Sequence, residues 1–169
     1  MNTIKPLLDD LQTILLDEID LYRELLSILQ KEKEVMIEVS ADKIMKCIKE
    51  KETLGLKLRM LEDYRISVVK KLSDKLNIPE EDIKLSRLSE IADEPYSSQF
   101  KRYSSDIRSL AMSIDEVNRY NKEFIERSLT SIRSSLSMLN LLNSSNPTYL
   151  QTGEVQGEEQ SGKVFFAKV

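Results

Sequence analysis

Tyr96–Leu142 reads YSSQFKRYSSDIRSLAMSIDEVNRYNKEFIERSLTSIRSSLSMLNLL. The stretch has neither proline nor glycine, and its apolar residues recur at steps of three and four: Phe100, Tyr103, Ile107, Leu110, Ile114 and Val117. That spacing is the heptad stripe of a helix laid along another helix. The next seam position is polar, Asn121, with Asn118 one turn before it. The stripe then resumes through Phe124, Ile125, Leu129, Ile132, Leu136 and Leu139. At 1.5 Å per residue such a helix is roughly 70 Å long. No other stretch predicts an uninterrupted element of that length, and the rest of the chain reads as a cover for part of it.

The helix breakers divide the remainder. Prolines stand at Pro6, Pro79, Pro95 and Pro147; Gly55 is alone in the body of the chain, while Gly153, Gly157 and Gly162 cluster near its end. Both residue types interrupt helices. A first helix is predicted over about 3–39, capped by Asn2 or Thr3, with Pro6 in its first turn. Its stripe is Ile4, Leu8, Leu11, Leu15, Ile19, Tyr22, Leu26, Leu29 and Met36. A second is predicted over 41–77, with Ser40 as N-cap and Asp42 against the positive helix end. Its stripe is Ile44, Cys47, Ile48, Leu54, Leu58, Leu61, Val68, Leu72 and Leu76. Gly55 costs this helix about 1 kcal/mol of propensity, which suggests close packing, a bend or a break there. Two helices of roughly 55 Å joined by a short turn lie antiparallel.

The connector, 78–95, opens with Pro79-Glu80-Glu81, a helix start with acids in its first turn. Ser86 to Ala92 suggests a further helical piece with Leu85, Leu88 and Ile91 as its apolar face; one bent helix and two pieces fit equally. The last segment, 143–169, is polar, with one proline and three glycines. It has too little apolar surface to order itself. The reading is an all-α fold: an antiparallel bundle of three long helices (3–39, 41–77 and 96–142) with a short helical connector. Together they form a domain over 1–142, followed by a disordered C-terminal tail.

Composition narrows the function. Charged residues make up 32% of the chain and tryptophan is absent, a profile of long amphipathic helices rather than of a sheet-based enzyme. The net charge of −4 gives a nucleic-acid partner no general attraction. The absence of histidine removes the commonest metal ligand and general base. Cys47, the sole cysteine, falls on the second stripe and reads as a buried thiol in a reducing compartment. No nucleotide-binding loop and no zinc-ligand cluster is present. The carboxylates fall at helix-surface spacing without paired acids. Lys43, Lys46, Lys49 and Lys51 interleave with glutamates as a solvated face. The N-terminus lacks the apolar core of a signal peptide, and no run approaches the ~18 apolar residues of a membrane span. Catalytic residues, metal sites, cofactors, nucleic-acid partners and membrane insertion are therefore not expected.

Two features point to a partner. Asn121 at a seam position either fixes helix register at a cost in stability or, with Asn118, hydrogen-bonds a partner's backbone. The long helix also exceeds the hairpin helices by roughly 15 Å. Its apolar stripe nevertheless continues through Ile132, Leu136, Leu139 and Leu142. A stripe left uncovered calls for an occupant: a helix laid in the groove, a second copy, or the chain's own tail.

Val117-Asn118-Arg119-Tyr120-Asn121-Lys122-Glu123-Phe124-Ile125-Glu126-Arg127-Ser128-Leu129 resembles the N-x-x-N-x-x-(L/F)-(I/L)-x-x-S-L signature of FlgN-type flagellar export chaperones. Upstream, Asp42, Lys51-Glu52, Leu54, Leu58, Leu61-Glu62 and Arg65 resemble the family's D…KE-x-L-x-x-x-L-x-x-L-E-x-x-R pattern. Pro147-Thr148-Tyr149 followed by Gly153 is similar to its Tyr…Gly tail. The matches run in order over most of the chain; the connector shows none. The resemblance implies a cytoplasmic chaperone without enzymatic activity. Such a chaperone holds hook-associated proteins, the subunits of the hook–filament junction, by their C-terminal helical segments. It presents them to the cytoplasmic domain of the export gate protein. On that reading the client site is Asn118, Asn121, Phe124, Ile125, Leu129, Ile132, Leu136 and Leu139. The gate contact is Tyr149 with Leu150, one of two apolar islands (the other is Val164-Phe165-Phe166) in a segment otherwise too polar to fold; Tyr120 is the other candidate. The alternative is a structural coiled-coil adaptor or scaffold that self-associates, as a homodimer or larger.

Overall fold

The structure, a computed structural model, describes residues 4–144. These form four α-helices and one 3-10 turn in the order α1 (Lys5–Ile37), α2 (Ala41–Leu76), the 3-10 turn Glu80–Asp82, α3 (Leu85–Ile91) and α4 (Tyr96–Ser144). No strand occurs among the described residues. The chain divides into two compact units, Met1–Asn121 and Lys122 onward.

In the first unit α1 and α2 form an antiparallel hairpin. Leu8, Leu11, Ile14, Leu15 and Ile19 of α1 pack with Val68 and Leu72 of α2. Toward the turn, Ile28 packs with Cys47 and Leu54. Residue numbers on the two helices run in opposite senses through these clusters, which sets the direction. The portion of α4 in this unit runs parallel to α1. Tyr96 donates its hydroxyl proton to Asp9, Gln12 donates to the Tyr103 hydroxyl at 3.3 Å, and Asn121 donates to the Leu29 carbonyl at 2.9 Å. Numbers rise together on both helices, so three long helices alternate in direction. Phe100 and Tyr103 complete the core with Leu88 of α3 and Ile83 of the connector.

The helix ends have local causes. Pro6 occupies the first turn of α1, where its missing N–H costs nothing. The expected caps Asn2 and Thr3 lie outside the described residues; the residue before α1 is Ile4, which makes no side-chain cap. Ser40 stands at the N-cap of α2 in extended conformation, but its hydroxyl makes no capping bond. Asn77 ends α2 in the left-handed conformation, φ 53° and ψ 41°, which an asparagine accepts more readily than most residues. Ser73 closes that end by donating to the Ile78 carbonyl at 2.7 Å.

Two details differ from the sequence reading. Gly55 interrupts nothing: α2 passes through it, and the space a methyl group would fill is open, so close packing does not explain it. On α1, Ile14, Ile28, Glu32 and Val35 are buried beside the expected stripe. The seam therefore takes in more of the helix surface than a strict heptad count allows, as expected for a helix covered by two neighbours. The connector is two pieces, and of its apolar residues Leu88 and Ile83 are buried while Ile91 is exposed. The tail expected over 143–169 lies almost wholly outside the described residues.

Candidate functional site

The second unit contains the C-terminal part of α4. Its apolar residues Ile125, Leu129, Ile132, Leu136 and Leu139 follow one another at steps of three and four, so they fall on one face, with Phe124 at its flank. All six are exposed. They form a continuous apolar strip about 20 Å long, from residue 125 to residue 139 at 1.5 Å each. Its polar residues are largely self-sufficient. Lys122 lies 4.0 Å from Glu126 and Arg127 lies 3.7 Å from Glu123, both one turn apart on the same helix. Thr130 donates its hydroxyl proton to the Glu126 carbonyl at 2.9 Å, and Ser135 donates to Ser131 at 3.0 Å.

Asn118 and Asn121, in the first unit, have opposite environments. Asn118 is exposed. Asn121 is buried, and its amide donates to the Leu29 carbonyl at 2.9 Å and to Glu32 Oε2 at 3.0 Å. The other Glu32 oxygen pairs with the Lys51 ammonium at 2.5 Å. Glu32 is itself buried and Lys51 is half-buried. One residue from each long helix thus meets in a polar node, with the carboxylate bonded on both oxygens. A buried carboxylate is tolerated on that condition. Such a node fixes register, since sliding α1 against α2 by one turn would strand the Glu32 charge and sliding α4 would remove its Asn121 donor.

The sequence reading placed Asn121 on the seam but missed Glu32 and Lys51. The signal was there: the α1 stripe was read as jumping from Leu29 to Met36, and the seam position between them, three residues after Leu29, is Glu32. Lys51 was grouped with Lys43, Lys46 and Lys49 as a solvated face. The latter three are exposed, while Lys51 turns inward to the node. Met138, exposed on the second unit, was also missed because it falls off the heptad. Tyr149 and Leu150 lie outside the described residues.

A second polar cluster lies farther down the hairpin, where an ion pair within α2 stands beside Tyr22 of α1. Arg65 holds Glu62 with two donors, each at 2.7 Å. That hydrogen bonding raises the Arg65 pKa against the opposing effect of burial. Tyr22 sits beside this pair, and its pKa is pushed up to about 12, first by burial and then by the neighbouring carboxylates of Glu18 and Glu62. Nothing in this cluster is arranged as a nucleophile and base. Cys47 is buried among Ile28 and Leu54. Among the described residues no group of three or more metal-ligating side chains converges, and no helix is long and apolar enough to cross a membrane.

A family model described as FlgN protein matches residues 1–157. The chain belongs to the FlgN family. FlgN proteins are chaperones of flagellar type III protein export and bind hook-associated proteins. The match spans all four helices, so both the polar node and the exposed strip lie inside the FlgN region. No curated protein and no solved structure gave a significant match.

Proposed function

We propose that this FlgN protein works in the cytoplasm as the carrier of a hook-associated protein. It holds the client's C-terminal helical segment on the strip Phe124, Ile125, Leu129, Ile132, Leu136 and Leu139, and hands the client to the cytoplasmic domain of the export gate. The observation that carries this reading is the strip itself: six large apolar side chains on one helix, all exposed. A helix with an apolar face is the natural occupant of such a surface. The client stays soluble because its own apolar face is covered.

Energetics limit how much the strip does alone. Full burial of one such side chain contributes roughly 1.5–3 kcal/mol, and its own helix already hides about half of it, leaving on the order of 1 kcal/mol each. Six give about 6 kcal/mol, while association costs at least about 4 kcal/mol. One face therefore supports weak capture.

The test is the double substitution Ile132→Asp with Leu136→Asp, assayed against the C-terminal segment of a hook-associated protein. Binding should be lost while circular dichroism is unchanged; unchanged affinity would refute the site. Gate contact is assigned to Tyr149 with Leu150, because tyrosine offers a large apolar face and a hydroxyl at low entropic cost. Tyr149→Ala should spare client affinity and weaken capture of the loaded complex by the gate's cytoplasmic domain. The reverse result would reassign the tail. Light scattering separates the scaffold alternative, since a self-associating subunit grows in mass without any client.

A further inference from the structure

One side of the α1–α2 hairpin carries a ladder of opposite charges. Glu38 of α1 meets Lys43 of α2 at 2.5 Å, and Lys31 meets Glu50 at 3.7 Å. Each further rung lies seven residues back on α1 and seven residues on along α2, the step at which flanking charges repeat in packed antiparallel helices. The third rung is Glu24 with Lys57, and the fifth, Asp10 with Lys71, again sets an acid against a base. The fourth breaks the pattern, because Asp17 stands opposite Tyr64.

At that break the hairpin surface opens into a groove of about 500 Å³. Its floor is Leu21 and Leu61, both half-buried. Its α2 wall is Tyr64 with Met60 one turn before it, 48% and 73% exposed. Its α1 wall is acidic: Asp17, Asp20 and Glu24, with Lys57 facing them. Asp20 is held by Arg23 of its own helix at 2.9 Å, whereas Asp17 and Glu24 have no ion-pair partner among the described residues. A lone exposed methionine or tyrosine needs no explanation. Here four apolar side chains converge beside two unpaired carboxylates. Lys or Arg at position 64 would complete the ladder; tyrosine leaves an acid free and adds an aromatic wall.

We infer that this groove seats a helix of a partner protein that has an apolar face and Lys or Arg along one flank. Two helices side by side form a channel that a third fills with apolar residues at steps of three and four. Charge complementarity sets the sign of the flank. The free carboxylates of Asp17 and Glu24 lie two turns apart on one wall, about 10 Å, so cations seven residues apart on the partner helix reach both. An acidic helix would set its own carboxylates against that wall. The groove belongs wholly to the first unit, so this surface is additional to the exposed strip of α4 and does not rest on the client reading.

Met60 supplies a probe inside the groove, with Met112 elsewhere on the first unit and Met138 on the C-terminal part of α4. The full-length protein, isotope-labelled at its methionine methyl groups, is titrated with a synthetic amphipathic peptide and followed by nuclear magnetic resonance. The peptide is about twenty residues long, enough to hold a helix, with leucines at steps of three and four and lysines on one flank. A control peptide carries glutamates in place of the lysines. The lysine peptide should shift the Met60 resonance and leave Met138 in place. Asp17→Asn with Glu24→Gln, and separately Tyr64→Ala, should each weaken that binding at least about threefold. Raising NaCl from about 50 mM to about 500 mM should weaken it as well, because the rim charges stay open to screening. An equal Met60 response to the two peptides, or undiminished binding by the Asp17→Asn, Glu24→Gln variant, overturns the basic flank. A response at Met138 with none at Met60, or no response at all, overturns the groove as a helix site. A Met60 resonance that moves with protein concentration alone makes a second copy the occupant and overturns the partner helix.

Discussion

In the first unit, the α4 stripe residues Phe100 and Tyr103 are 0% and 3% exposed; in the second, Ile132 and Leu136 on the same helix are 56% and 54% exposed. The spacing of apolar residues is the same in both. What differs is the neighbour: Phe100 and Tyr103 meet α1, α2 and α3, while none of the described residues covers Ile132 or Leu136. A helical stripe records that a helix was selected to bury one face, not what buries it. In the first unit the chain covers itself, so the stripe is a stability element. In the second the same pattern is, on the proposed reading, an interaction element.

The largest expected effect tests that division directly. Phe100→Ala removes a fully buried ring from the core and should cost about 3–5 kcal/mol in denaturant unfolding. Leu136→Ala removes a half-exposed side chain and should stay within about 0.5 kcal/mol. A loss above about 2 kcal/mol for Leu136→Ala would mean that something covers the strip in the free protein. The comparison would then break down.

The next effect concerns the polar node. Lys51→Ala leaves the Glu32 carboxylate buried with only the Asn121 amide as partner. Breaking a buried pair costs 3–5 kcal/mol; Lys51 is half-buried, so about 2–3 kcal/mol is expected. Adding Glu32→Leu to Lys51→Ala should recover most of the loss, because the stranded charge goes with it. If Lys51→Ala alone proves neutral, the node is a surface ion pair and does not set the register.

Much of this was legible in the sequence. Pro79 and Pro95 separate the hairpin from α4, and three apolar stripes predict the three long helices. The all-α fold needs little more than those facts. The node was not legible as a node, because Glu32, Lys51 and Asn121 come from three helices and a list of spacings does not show which residues meet. Periodicity was equally silent on exposure. By spacing, Phe100–Val117 and Phe124–Leu139 read alike; helix length marked the overhang with Ile132, Leu136 and Leu139, and the packing adds Phe124, Ile125 and Leu129 to the exposed strip. Ile83 and Met138 lie outside any repeat, so one was missed as core and the other as surface.

A smaller effect should appear at Gly55. The helix continues through it and the space for a methyl group is open, so its cost is propensity alone. Gly55→Ala should stabilise the protein by about 1 kcal/mol, read as a shift in denaturant midpoint without a change in slope. Because Gly55 belongs to the first unit, affinity for a client should not change. Loss of client binding in Gly55→Ala would carry the interaction surface into the hairpin and blur the division between the two units.

The smallest effect is a pH dependence that reports on the first unit alone. Unfolded, Tyr22 loses its proton near its ordinary value of 10.0; folded, burial and then Glu18 and Glu62 hold the proton up to about 12. Between those values the native state binds more protons than the unfolded state, so stability falls as pH rises through that window. The contribution is fully present below pH 10 and lost by about pH 12. Unfolding curves collected from pH 9 to 11, on the parent and on Tyr22→Phe, should therefore converge, with the parent losing stability faster. The other tyrosines are common to both proteins and cancel. Leu136→Ala, on the second unit, should leave the shape of the parent curve unchanged. Parallel curves for the parent and Tyr22→Phe would show that Tyr22 titrates as it does in the unfolded chain. The α1–α2 contact around Glu62 and Arg65 would then be open to water rather than part of the packed unit.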